Sequence, residues 1–78
     1  MTKAFVLLNT NLGSELEVQT ELQKVNGIVA VYQVYGVYDL IVEVEASSPQ
    51  DLKNIIFSKI RTLKSVRSTL TLSELTLS

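Results

Sequence analysis

Apolar residues in this sequence recur with two periods that take turns along the chain, and this alternation limits the possible folds more than any other feature. "KAFVLLNT", Lys3 to Thr10, is a short apolar run with β-branched and aromatic members, ended by the polar cluster Asn9, Thr10, Asn11 and Gly13. It reads as a strand. Ser14 with Glu17 three residues later has the pattern of a capping box, and Glu15 and Glu17 suit the positive end of a helix. Val18, Leu22 and Val25 then repeat at helical spacing, and Asn26-Gly27 supplies a left-handed stop, which predicts a helix from Ser14 to Val25.

The period then returns to two. "IVAVYQVY" (Ile28 to Tyr35) and "VYDLIVEVEA" (Val37 to Ala46) are dense in valine, isoleucine and tyrosine, and only Gly36 separates them. A tight antiparallel hairpin is predicted. Leu40, Val42 and Val44 alternate with Asp39, Ile41 and Glu43, so one face of that strand is buried. "SSPQD" restarts a helix with Ser48 as cap, Pro49 in the first helical position and Asp51 in the third. Leu52, Ile55, Ile56, Ile60 and Leu63 form its apolar stripe. "VRSTLTLSELTLS" reads as a last strand whose phase breaks between Leu70, Leu72 and Leu75, Leu77, as a bulge near Ser73-Glu74 would cause.

The order β-α-β-β-α-β predicts an α+β, ferredoxin-like βαββαβ sandwich: a four-stranded antiparallel sheet with two helices on one face. With 78 residues the chain is read as one domain, residues 1–78. Its second sheet face is uncovered. Apolar residues fall on both parities of the first two strands, and 46% of the chain is hydrophobic against 19% charged, so that face is expected to dimerise, sheet to sheet.

Composition narrows the chemistry. There is no cysteine and no histidine, which removes disulfides, thiolate metal sites and the commonest general base, and no cofactor or metal is expected. Seven basic against eight acidic residues leave no electrostatic footprint for phosphates, so direct nucleic-acid binding is not expected. No apolar run reaches the ~20 residues of a membrane span and the N-terminus lacks a secretory pattern, which points to a cytoplasmic protein. Glycine-rich phosphate loops and nucleophile elbows are also missing from the sequence, and the expectation is a non-enzyme.

One cluster stands out against this background. Tyr32, Tyr35 and Tyr38 gather around Gly36, with Asp39 just beyond the turn. Read as structure alone, glycine supplies positive φ, the tyrosines pack the hairpin and Asp39 accepts hydrogen bonds from turn amides. The words around it, Val25, Gly27 and Val29, then Gly36, Tyr38, Asp39 and Leu40, then Val66, Thr69 and Thr71, run in an order and spacing that resembles the effector-binding (RAM) domain of the Lrp/AsnC transcription regulators. The resemblance covers essentially the whole chain. Because the chain starts at the first strand of that domain, it resembles the stand-alone form without the DNA-binding helix-turn-helix.

The resemblance implies dimers paired through their sheets, octameric or decameric rings of dimers, and a small effector, often an amino acid, held between dimers near the turn joining the second and third strands. Backbone amides around Tyr35, Gly36, Val37 and Tyr38 are then expected to take the ligand carboxylate, Asp39 its ammonium, and the hydroxyls of Thr69 and Thr71 further hydrogen bonds. Output is expected through assembly with Lrp-type DNA-binding regulators. Three other readings share the topology. An ACT-like amino-acid-binding domain places its ligand at the "NTNLGSE" loop; a small dimeric α+β barrel enzyme needs a polar cavity under the sheet; an architectural ring needs no ligand.

Overall fold

The computed structural model describes residues 2–73. Strand β1 (Thr2–Thr10), helix α1 (Glu15–Gln23), strands β2 (Ile28–Gln33) and β3 (Leu40–Ala46), helix α2 (Pro49–Ile55) and strand β4 (Val66–Ser73) follow in order. This is the ferredoxin-like order predicted from the periodicity. The four strands form one antiparallel sheet, β2-β3-β1-β4. Residues 74 to 77, where a second phase was expected in the last strand, lie outside the described residues.

Alternation along the strands decides which residues form the core. Ala4, Val6 and Leu8 of β1 and Leu40, Val42, Val44 and Ala46 of β3 are buried on one face, and Val18, Leu22, Leu52, Ile56 and Ile60 of the helical segments cover them. Both helices therefore lie on the same side. Pairing in register puts Phe5 and Leu7 beside Leu72 and Leu70 on the opposite face, with Ile41 and Tyr32 continuing the Leu7 row. Nothing among the described residues covers this band: Phe5 is 37% exposed, Leu70 44%, and Leu72 and Tyr32 each 50%.

The two helices begin differently, although both carry cap sequences. Ser48 is extended, and its hydroxyl accepts a hydrogen bond from the Asp51 N–H at 3.1 Å, the expected cap. Ser14 makes no such bond, because its ψ of 3° is not the extended value that aims a cap side chain at the helix. A β-turn delivers the chain there instead: the Ser14 N–H donates to the Asn11 carbonyl (2.9 Å), with Gly13 at φ 83° in the third position. The predicted capping box is thus not formed. The C-terminal end of α1 lies two residues before the expected Val25, since the Val25 N–H turns back to Leu22 at 3.0 Å and closes a tighter turn.

After Ile55 the second helix widens into a π-helical turn, Ile56–Ile60, in which the Arg61 N–H donates to the Ile56 carbonyl five residues back (3.0 Å). Ile56 and Ile60 stay in the core through it, while Phe57 faces outward with the Arg61 guanidinium 4.7 Å above its ring. Gly27, at φ 98°, lies where β2 meets α2 and β3. A side chain there would begin 2.7 Å from Ile55 Cδ1 and 3.1 Å from the Glu45 carbonyl oxygen.

Candidate functional site

The tight hairpin about Gly36 is replaced by a longer loop. The β2–β3 ladder ends at Gln33 opposite Leu40, and the Val34 N–H closes the loop on the Asp39 carbonyl at 3.0 Å, leaving residues 35 to 38 as its tip. Strand propensity at Tyr35 and Val37 is overridden because no partner there receives their side chains: Tyr35 is fully exposed and Val37 is 82% exposed. Gly36 takes φ 134°, with open space where a Cβ would be, so the main chain at the tip is approachable.

The Asp39 carboxylate does not bond the amides of its own turn. It fastens the loop to the end of β1: its N–H donates to the Leu8 carbonyl (2.8 Å), and its Oδ2 accepts from the Thr10 N–H (2.8 Å) and the Thr10 hydroxyl (3.4 Å). Thr10 is buried, so this carboxylate satisfies a donor cut off from water. The other oxygen, Oδ1, has no hydrogen bond among the described residues.

Two surface cavities flank Asp39. One, of about 270 Å³, is bounded by Gly13, Glu15, Leu16, Gln33, Val34 and Tyr35. The other, of about 290 Å³, is bounded by Asn9, Thr10, Arg67 and Ser68. The second lies at the end of the sheet where β1 finishes and β3 and β4 begin. There the β1–β4 register shifts: Asn9 pairs with Ser68 and Thr10 with Val66, which leaves Arg67 as an extra, bulged residue. This bulge is separate from the one expected near Ser73-Glu74, which reaches outside the described residues.

Thr69 and Thr71 do not join Asp39 within one chain. They pair with Leu8 and Val6, so they lie on the helix-covered face of β4. They bound a separate cavity of about 360 Å³ with Lys53, Phe57 and Arg61. The residues that sequence reasoning did not single out, Thr10 and Arg67 above all, carry no local signal. Thr10 and Asp39 are 29 positions apart and meet only through strand pairing.

Among the described residues no helix is long and apolar enough to cross a membrane, and no cluster of acidic side chains is arranged to hold a metal ion. A model of the Lrp/AsnC ligand binding domain matches residues 3–75. An uncharacterized HTH-type transcriptional regulator of Pyrococcus furiosus is 32% identical over 74 residues, 91% of this chain and 49% of that protein. The chain thus spans about half the length of such relatives. A homocitrate synthase of Saccharolobus islandicus is 44% identical over 54 residues, 69% of this chain but 12% of that protein. The crystal structure of FFRP-DM1 superposes with a TM-score of 0.93 at 39% identity, covering 96% of this chain and 100% of that one. By sequence and by fold, the chain belongs to the Lrp/AsnC ligand-binding-domain family.

Proposed function

We propose that this chain is an effector-sensing module in which a small metabolite, an amino acid, binds at the β2–β3 loop where neighbouring copies meet. Binding shifts the assembly of those copies, or their association with Lrp-type DNA-binding regulators, and so modulates transcription. Family membership supports the regulatory part. The observation that carries the rest is Asp39: its carboxylate is held from one side by Thr10, and its Oδ1 has no hydrogen bond among the described residues and lies in an exposed, approachable loop. A carboxylate so placed accepts an ammonium well. In this scheme Tyr35, Gly36, Val37 and Tyr38 form the rim of the pocket, and Thr69 and Thr71 are supplied by a neighbouring copy.

The exposed band of Phe5, Leu7, Ile41, Leu70 and Tyr32 supports dimerisation of residues 1–78 through the open sheet face, with octameric or decameric rings as the larger assembly. The module is read as a cytoplasmic, non-enzymatic domain. Its partial similarity to a homocitrate synthase favours a second output, in which such a domain regulates a metabolic enzyme instead of a DNA-binding protein.

A ligand moves assembly only by as much as it prefers one assembly over another. The test is therefore native mass measurement with and without each standard amino acid, in parallel with thermal unfolding. Dimers or larger species are expected, with at least one amino acid raising the midpoint. Leu70→Glu, which puts a charge into the apolar band, is expected to yield monomers. Wild-type protein that stays monomeric and responds to no amino acid would overturn the proposal. Response to a ligand that is lost in Asn11→Ala and kept in Asp39→Asn would move the site to the β1–α1 loop, as in an ACT-like domain.

A further inference from the structure

We infer that Arg67, the residue freed by the bulge in β4, receives the carboxylate of the ligand whose ammonium Asp39 takes, so that the site selects zwitterionic α-amino acids over amines. This rests on the effector reading above, in which the ligand is an amino acid and Asp39 takes its ammonium, and names Arg67 as the carboxylate's receiver in place of the loop amides around Gly36.

The argument starts from the bulge. In an unbroken ladder Arg67 would stand opposite Thr10, on the face covered by the helices, and its guanidinium would be driven toward the core. The extra residue lets Val66 take that place, where it packs against the core, and releases Arg67 to the cavity beside Asp39. The inserted residue thus exchanges a cation for an apolar side chain at one position of the fold.

The charges of the two cavities around Asp39 then differ in kind. The cavity on the Tyr35 side adds Glu15 and contains no cation, so a ligand carboxylate is repelled there. The cavity on the β4 side holds one anion, Asp39, and one cation, Arg67. These two do not pair with each other: no ion pair within 4.0 Å joins them, and Arg67 has no ion pair or side-chain hydrogen bond among the described residues. A ligand carrying both charges can bridge them.

The remaining walls agree with such a ligand. Asn9 Nδ2 donates to Ser68 Oγ at 3.1 Å and fixes two polar side chains beside Arg67. Thr10 holds Oδ2 of Asp39 and orients the carboxylate. The planar guanidinium fork matches a carboxylate in two parallel hydrogen bonds, which an ammonium cannot reproduce. A volume of about 290 Å³ is at the small end of ligand sites and has room for an amino-acid head group.

The test measures binding of each standard L-amino acid, by calorimetry, to wild-type protein, Arg67→Ala and Arg67→Lys. For every amino acid that binds, the corresponding primary amide, which keeps the ammonium but has no carboxylate, is compared. Arg67→Ala is expected to weaken binding roughly ten- to a hundredfold, with the lysine variant intermediate, and the wild type to prefer acid over amide by a similar factor. Arg67→Ala is expected to lose that preference while its unliganded circular dichroism stays that of the wild type, since the side chain is exposed. Equal binding of acid and amide by the wild type, or unweakened binding by Arg67→Ala, overturns this inference and leaves the effector reading standing. Absence of any amino-acid binding to the wild type overturns both.

Discussion

Replacing Asp39 by alanine tests whether its carboxylate supports the fold before any ligand arrives. The change removes the acceptor of a 2.8 Å bond from the Thr10 N–H and of a 3.4 Å bond from its hydroxyl, and Thr10 is only 5% exposed. A hydrogen bond to a charged acceptor contributes about 1.5–3 kcal/mol, and a donor stranded away from water costs a comparable amount. A loss of about 2 kcal/mol is expected, which in a domain of this size lowers the unfolding midpoint by roughly 8–16 °C. Asp39→Asn keeps an oxygen acceptor and loses the charge, so its cost is expected to be about half as large. Thermal unfolding followed by circular dichroism, at one fixed protomer concentration because assembly contributes to the midpoint, measures both. Midpoints for Asp39→Ala within about 2 °C of the wild type would refute the reasoning, since an error of that size corresponds to well under 1 kcal/mol. The comparison also bears on binding. Asp39→Asn, not Asp39→Ala, separates loss of an ammonium partner from loss of the scaffold.

Gly27→Ala is expected to cost about 2–3 kcal/mol in urea denaturation: φ 98° disfavours a side chain, and the Glu45 carbonyl 3.1 Å from the new Cβ belongs to a residue whose N–H is tied back to Gly27 at 2.8 Å. Ser48→Ala is expected to lose about 1 kcal/mol in the same assay, whereas Ser14→Ala is expected to stay within about 0.5 kcal/mol, because only the first hydroxyl caps its helix.

The fold was legible because its signals are local and agree with one another. Leu40, Val42 and Val44 announce a half-buried strand at period two, and Leu52, Ile56 and Ile60 a helix stripe, and all six are core residues. Errors arose where a distant residue competes with a local preference. The capping pattern at Ser14 is genuine as sequence, yet the turn at Gly13 sets a backbone angle from which the hydroxyl cannot reach. Tyr35 and Val37 have strand propensity and no strand partner. The π-helical turn after Ile55 leaves no mark in the apolar spacing, because Ile56 and Ile60 stay buried through it. At the candidate site, Asp39 drew notice through its neighbours in sequence, whereas Thr10 and Arg67 reach it only through the pairing of β1 with β3 and β4.

Thr10 also joins two regions that the sequence presents as rivals. One residue later, the Asn11 N–H donates to the Ser65 carbonyl (2.8 Å) and the Asn11 carbonyl accepts from Ser14, so the entry to the first helix hangs from the same short length of backbone that Asp39 grips. The two loops are thus neighbours through a single pair of residues, Thr10 and Asn11, each of which holds one of them.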